Sequence, residues 1–92
     1  MSEYRRTVAI TNNRGLHARA SAKFVTYVSK LPAGLSVKVG KDGTEVTGTS
    51  IMGLMMLGAA KGDSVEIIVE GEQAESALEK LAGLVVDGFG ED

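Results

Sequence analysis

The sequence contains no cysteine, one proline and one histidine among its 92 residues. Without cysteine the chain cannot form disulfides, thiolate metal sites or a cysteine nucleophile, so its fold depends on packing alone. The longest apolar run, residues 51–60, is interrupted by two glycines and reaches about half of the roughly 20 residues that a membrane-spanning helix needs. The first residues lead into a strand-like pattern rather than an apolar signal core. We therefore expect a cytoplasmic protein with no membrane-inserted segment.

The length and the net charge of the chain limit the number of domains and the kinds of ligand that we expect. Ninety-two residues predict one domain, residues 1–92, with a thin, two-layer core. The formal net charge of −2 argues against a general polyanion binder, and we expect no nucleic-acid partner. Because the acidic residues are scattered and there is one histidine, we expect no metal site.

Hydrophobic periodicity predicts seven elements in the order βαββαβα. Alternating apolar residues indicate strands, and helical spacing indicates helices that end at proline or glycine signals. The predicted strands are residues 4–10, 35–40, 44–47 and 64–70; the predicted helices are residues 18–31, 51–57 and 73–87. Asp42-Gly43 is typical of a hairpin turn, and residues 88–92 are expected to form a frayed tail. Because each strand alternates, we expect an α+β fold with a four-stranded antiparallel sheet and all three helices on one face.

Residues 15–20 read Gly-Leu-His-Ala-Arg-Ala and join the first predicted strand to the first predicted helix. A single histidine, here His17, is more often an ordinary surface residue than a reactive one. A helix that begins near Ala18, however, leaves the backbone N–H groups of Ala18 and Arg19 without partners in the helix. The helix dipole and the Arg19 guanidinium both favour an anion at this point. We interpret the stretch as a phosphoryl site with His17 as nucleophile.

These six residues resemble the active-site motif of the HPr family, the histidine-containing phosphocarriers of the phosphoenolpyruvate-dependent phosphotransferase system. The resemblance extends to residues 50–53, which read Ser-Ile-Met-Gly, to the turn at residues 57–62 and to the order of the elements, so it spans nearly the whole chain. It implies an open-faced β-sandwich.

The resemblance also implies a function. The chain would be a carrier and not an enzyme: His17 would receive a phosphoryl group from enzyme I on Nδ1 and donate it to a histidine of an enzyme IIA-type protein, while Arg19 helps to neutralise the charge. Many family members have proline after this arginine, whereas Ala20 resembles the nitrogen-related branch. Whether the carrier serves sugar uptake or a nitrogen-related pathway therefore stays open. No cofactor is implied, and we expect a monomer.

Ser50 directly precedes the second predicted helix and is interpreted as its N-cap, since serine is among the best N-cap residues. In the resembling family the matching serine is a regulatory phosphorylation site, which implies an HPr serine kinase/phosphatase as a further partner. The two roles are compatible. A phosphate at a helix N-terminus does not oppose the fold, but it adds roughly −1.5 to −2 charges to the neighbouring surface.

The second predicted helix is apolar on more than one side. Ile51, Leu54 and Leu57 can share one face, which leaves three methionines elsewhere. A two-layer domain of this size has no third layer to cover them, so we expect exposed methionines. Flexible, polarizable side chains suit a surface that binds several partners in turn. The predicted partner-docking residues, an apolar patch with a basic rim, are Arg14, Lys23, Ile51, Met52, Met55 and Met56.

Two other interpretations remain open from the residues. The chain could be a regulatory binding module of the same fold, controlled at Ser50 with a silent His17. It could also be a small α/β ligand-binding domain in which Arg19 and the helix N-terminus hold an anion. The acidic residues near the C-terminus, Asp87, Glu91 and Asp92, are expected to form a solvated end rather than a site.

Overall fold

The computed structural model describes residues 3–91, which form a four-stranded sheet with three helices. The strands are β1 (Glu3–Ala9), β2 (Ser36–Lys41), β3 (Thr44–Thr47) and β4 (Ser64–Glu70). The helices are α1 (Ala18–Ser29), α2 (Ile51–Met56) and α3 (Ala74–Val86), and a 3-10 turn follows at Gly88–Gly90. The predicted order of elements is confirmed.

The sheet is antiparallel throughout, with the strand order β1-β4-β2-β3. Its inner face contains the alternating apolar residues that the sequence predicts, and in β4 these are Val65, Ile67 and Val69. The other face is mostly exposed, and Gly40 and Ile68 are its buried residues. Ile68 points away from the inner face but is 4% exposed, and the register places Arg5 and Lys38 on either side of it. Long basic side chains with aliphatic stems can cover such a neighbour.

The hairpin between β2 and β3 turns at Asp42-Gly43, as predicted. The two residues have φ angles of 51° and 84°, and the flanking residues Lys41 and Thr44 are paired. Positive φ at both central positions is the type I′ geometry, whose twist matches that of the strands.

The helices cover the inner face and enclose the core. α3 packs on β1 and β4, and α1 packs against α2. Phe24 of α1, Leu54 of α2 and Leu81 of α3 are each at most 2% exposed. The open-faced α+β sandwich that the sequence predicts is confirmed. No helix within residues 3–91 is long and apolar enough to cross a membrane.

α2 exposes most of its apolar side chains. Leu54 and Leu57 are buried, whereas Met52 and Met56 are 70% and 78% exposed and Met55 is 44% exposed. The prediction of exposed methionines is therefore confirmed. Ile51, which the sequence places on the same face as Leu54 and Leu57 and also in the docking patch, is 41% exposed. It lies at the first position of a six-residue helix, where α2 has not yet reached the core.

The expectation of a frayed tail after residue 87 is wrong for the described residues. Gly88–Gly90 forms a 3-10 turn, and the Phe89 side chain is 1% exposed within the core cluster. Lys23 of α1 donates from Nζ to the Phe89 carbonyl oxygen at 2.8 Å. The turn is therefore packed against α1 and α3. Asp92 lies outside the described residues.

The burial of Phe89 predicts that this turn contributes to stability. Phe89→Ala should lower the free energy of unfolding by about 3 kcal/mol, because it removes a buried ring and leaves a cavity. Urea denaturation followed by circular dichroism measures the change. Met56→Ala, which truncates an exposed side chain, is the matched control and should shift stability by less than about 0.5 kcal/mol. Equal, small effects of the two substitutions would show that the turn does not support the core.

Candidate functional site

The loop of residues 11–17 is held by bonds from its own backbone and from one buried side chain. Asn12 is 2% exposed, and its Nδ2 donates to the carbonyl oxygen of Gly15 at 2.8 Å. The Gly15 N–H donates back to the Asn12 carbonyl oxygen at 3.2 Å. These bonds close a tight turn directly before His17.

The same loop is bonded to the segment that follows α2. The Leu16 N–H donates to the Ala59 carbonyl oxygen at 3.0 Å. Gly15 has a φ of 64°, and a Cβ atom added there would lie 2.3 Å from the same oxygen. Only glycine fits this position, since any side chain would force the two segments apart.

His17 is the N-cap residue of α1, and the helix begins at Ala18 as predicted. His17 has the extended dihedral angles of an N-cap, with φ at −72° and ψ at 179°. Its carbonyl oxygen accepts from the Ser21 N–H at 2.9 Å, the first bond of the helix. The Arg19 N–H donates to Nδ1 of the imidazole at 3.3 Å. One ring nitrogen therefore faces the N-terminus of α1, where anions are favoured.

A cavity of about 430 Å³ opens beside the imidazole, and three basic residues line it. The structure thus brings together His17 and Arg19 with Arg14 and Lys23. Among residues 3–91 neither Arg14 nor Arg19 forms a side-chain hydrogen bond or ion pair, so both guanidinium groups are free to bind an anion. The complete lining is Asn13, Arg14, His17, Arg19, Lys23, Gly90 and Glu91.

Glu91 also belongs to this site and not to the solvated end that the sequence predicts. Its Oε2 lies 2.6 Å from Nε2 of His17, and the two side chains are 18% and 14% exposed. Its Oε1 accepts from Nδ2 of Asn12 at 3.0 Å. The expectation is therefore wrong for Glu91, because the packed turn at residues 88–90 carries it back to the imidazole. Asp87 is exposed at the end of α3, as expected.

The hydrogen bonds of Glu91 change its ionisation. The bond from Asn12 is the main cause that lowers the pKa of this carboxyl, burial opposes the shift, and the contact with His17 lowers it further. Glu91 is therefore ionised at neutral pH. Within residues 3–91 no group of three acidic or histidine side chains could hold a metal ion, and the excess of basic residues suits an anion instead.

Ser50 and the exposed side chains of α2 lie outside the lining of this cavity. Ser50 is the N-cap of α2, as predicted, and its Oγ accepts from the Gly53 N–H at 2.9 Å. We use the term α2 surface for the exposed apolar residues Ile51, Met52, Met55 and Met56. Two contacts connect α2 to the region of His17. α1 packs against α2, and the Leu16 N–H donates to the Ala59 carbonyl oxygen just after α2.

Comparison with known proteins gives consistent matches over nearly the whole chain. A family model described as "PTS HPr component phosphorylation site" matches residues 4–87. The phosphocarrier protein HPr of Neisseria meningitidis (serogroup A) is 42% identical over 87 residues, which cover 95% of this chain and 96% of that protein. The phosphocarrier protein NPr of Escherichia coli K12 is 36% identical, with coverages of 96% and 97%. The crystal structure of HPr-C-His from Thermoanaerobacter tengcongensis has a TM-score of 0.86 at 40% identity and covers 100% of this chain and 99% of that one.

The lowered pKa of Glu91 predicts a pH dependence of stability. A carboxyl with a lower pKa in the folded chain stabilises the fold above its ordinary pKa of 4.5, and this stabilisation is lost as the pH falls through the folded-state pKa. The difference in free energy of unfolding between the wild type and Glu91→Gln should therefore be largest near neutral pH and disappear in acid. Urea denaturation at a series of pH values measures it.

Glu72→Gln provides the control for this titration. Glu72 is exposed and forms no side-chain hydrogen bond within the described part of the chain, so its replacement should have a small effect at every pH. A difference for Glu91→Gln that does not vary with pH would contradict the role assigned to the ionised carboxyl.

Proposed function

Because this chain belongs to the HPr family of phosphocarriers of the phosphotransferase system, we propose that it accepts a phosphoryl group from phospho-enzyme I on Nδ1 of His17. We further propose that it passes this group to an enzyme IIA-type protein. A phosphocarrier is not itself an enzyme, since it is one of the reactants of the relay. The relay that we propose would run in the cytoplasm, and the carrier would act as a monomer.

The observation that supports the proposal most directly is the position of the His17 ring. Nδ1 accepts a backbone N–H from the first turn of α1 and faces its N-terminus. A phosphoryl group on Nδ1 would take over this N–H donor, and the helix dipole would favour its negative charge. The side chain is partly exposed, so a partner protein can reach the ring.

The transfer step needs nothing from this chain beyond the imidazole and its surroundings. The lone pair of Nδ1 attacks phosphorus, the P–Nδ1 bond forms, and the bond between phosphorus and the donor breaks with its electron pair leaving on the donor. In the second transfer the pair of the P–Nδ1 bond returns to Nδ1 as the acceptor attacks. The contact with the Arg19 N–H uses the Nδ1 lone pair, so the proposed attack proceeds from the tautomer with its proton on Nε2.

The basic residues of the cavity suit a phosphoryl group that binds to His17 and is then transferred to an acceptor. Arg14, Arg19 and Lys23 lie around the ring without enclosing it. The helix N-terminus contributes about 0.3–1 kcal/mol to anion binding, and a charge-assisted hydrogen bond contributes about 1.5–3 kcal/mol. Terms of this size orient a phosphoryl group and do not hold it against transfer. We propose that Arg19 is the main group that neutralises the phosphoryl charge.

We propose the α2 surface with the basic rim as the docking surface for both donor and acceptor. Its four apolar side chains are between 41% and 78% exposed. Methionines adapt their shape to different partners because they are unbranched and flexible. The same surface could therefore bind enzyme I and an enzyme IIA-type protein in turn.

The pathway of the acceptor depends on which branch of the family the chain serves. Relatives named HPr and NPr both match it over nearly their whole length. Ala20, which resembles the nitrogen-related branch, is fully buried in the first turn of α1 and leaves the fold of the helix intact. Transfer to a panel of enzyme IIA proteins from both branches would assign the pathway.

We also propose that phosphorylation of Ser50 by an HPr serine kinase regulates docking. The Oγ of Ser50 caps α2, so a phosphate there would meet the favourable end of the helix and leave the fold intact. Ser50 directly precedes Ile51 and Met52 of the α2 surface. The added charge would therefore oppose the burial of these apolar residues by a partner.

The first prediction of this proposal is a labelled histidine. Incubation with phosphoenolpyruvate and enzyme I should give a phosphate that is acid-labile and base-stable, and His17→Ala should abolish it because no other histidine is present. Radiolabelling and intact-protein mass spectrometry measure this. Ser50→Ala is the control and should retain the label. Phosphate found only on Ser50 would instead indicate a regulatory binding module, and saturable anion binding without a label would indicate a ligand-binding domain.

The second prediction separates docking from folding. Ser50→Asp should leave the melting temperature nearly unchanged, because aspartate is also a good N-cap residue. It should slow phosphoryl transfer by roughly tenfold, the effect of about 1.4 kcal/mol of lost docking energy. Ser50→Asn caps the helix without charge and should transfer at the wild-type rate. Normal transfer by Ser50→Asp would contradict regulation through the docking surface.

A further inference from the structure

The carboxylate of Glu91 contacts the edge of the His17 ring that the proposed chemistry does not use. Glu91 Oε2 lies 2.6 Å from Nε2, while Nδ1 accepts the Arg19 N–H. An ionised carboxylate can only accept hydrogen bonds, so Nε2 must carry the proton in this contact. A backbone N–H can only donate, so Nδ1 must present its lone pair. Both neighbours therefore select the same tautomer of His17.

A buried asparagine holds the carboxylate in place. Asn12 Nδ2 donates to Glu91 Oε1 at 3.0 Å and to the Gly15 carbonyl oxygen at 2.8 Å, while its Oδ1 is buried without a partner in the described residues. The opposite orientation of the amide would place Oδ1 against two other acceptor oxygens, so it is disfavoured. Asn12 thus connects the loop before His17 to Glu91.

The backbone next to Glu91 is fixed as well. Phe89 is buried, and its carbonyl oxygen accepts from Lys23 Nζ at 2.8 Å. The Glu91 N–H donates to the Gly88 carbonyl oxygen at 3.0 Å. The carboxylate therefore reaches the imidazole from a packed turn, and both of its oxygens are used.

We propose that Glu91, held by Asn12, is a positioning residue for phosphoryl transfer: it keeps the proton of His17 on Nε2 and the Nδ1 lone pair towards the N-terminus of α1. This inference rests on the proposed function. A histidine whose second nitrogen is bound by a carboxylate has a fixed tautomer and ring orientation, as is common where the first nitrogen is a ligand or a base.

The proton on Nε2 stays in place through both transfers. When the P–Nδ1 bond forms, the ring keeps its Nε2 proton and gains a positive charge, which the Glu91 carboxylate offsets. When the P–Nδ1 bond breaks, its electron pair returns to Nδ1 and the ring leaves as neutral imidazole with the proton still on Nε2. No proton transfer to solvent or to a partner is needed in either direction.

A purely structural role for Glu91 makes a different prediction. If the carboxylate only anchored the turn at residues 88–90, its removal would lower stability and leave the ring tautomer unchanged. A positioning role changes the ring itself. Since His17 is the only histidine, its ring signals are assigned without ambiguity.

The test is a long-range ¹H–¹⁵N spectrum of the His17 ring in the full-length, unphosphorylated protein at a pH where the ring is neutral. The wild type should show one tautomer, with the proton on Nε2, and a slowly exchanging Nε2–H signal. Glu91→Ala should shift the ring nitrogens towards a mixture of tautomers and lose that signal. Glu91→Gln, which keeps one acceptor oxygen for two donors, should give an intermediate spectrum, and Glu72→Gln should match the wild type.

The rate of phosphorylation by enzyme I is measured on the same samples. Glu91→Ala should slow phosphorylation by about tenfold. Loss of a carboxylate that orients a histidine typically costs about 10–100-fold in activity, and we expect the low end because the ring is partly open to water. Wild-type spectra and rates in Glu91→Ala, with or without a change in melting temperature, would overturn the positioning role. Failure of the wild type to be phosphorylated on His17 would instead overturn the proposed function, and the spectra separate the two cases because they require no phosphoryl group.

Discussion

The position of His17 depends on one close contact between two loops, the approach of Gly15 to the backbone of Ala59. A Cβ atom at residue 15 would overlap the Ala59 carbonyl oxygen, which also accepts the Leu16 N–H. The hydrogen bond from Leu16 holds the two loops together at this close approach, and His17, the next residue, has N-cap geometry. Ala59 follows α2 closely in the chain. The same contact therefore joins the loop before His17 to the segment that follows α2.

Local signals in the sequence were sufficient for most of the fold. Alternation predicted the strands, Asp42-Gly43 predicted the hairpin turn, and Ser50 predicted the start of α2, because each of these features depends on neighbouring residues. The contact between Glu91 and His17 joins residues that are 74 positions apart. It requires a turn in which Gly88, Phe89 and Gly90 all have positive φ. No periodicity marks such a turn, and the aromatic residue between two glycines was the one signal that it is packed.

The α2 surface is stable only because a small part of the helix is anchored. A six-residue helix does not persist alone in water, and α2 is held by the buried side chains of Leu54 and Leu57 and by the Ser50 cap. The remaining apolar side chains of α2 stay between 41% and 78% exposed in the free protein. Covering one of them fully is worth roughly 1.5–3 kcal/mol. Burial of the α2 surface by a partner would therefore contribute favourably to the free energy of binding. A polar helix at this place would not make that contribution.

The negative charge of Glu91 is compatible with the proposed phosphoryl site because the carboxylate contacts the opposite edge of the His17 ring. Glu91 contacts Nε2, whereas the phosphoryl group would be attached to Nδ1, and the ring separates the two negative groups. Three basic residues and one acidic residue line the cavity, so its excess charge remains positive. A site with cations alone would bind the phosphoryl group more tightly, but it would not orient the ring. With the carboxylate present, the proposed site would combine orientation of the ring with release of the phosphoryl group.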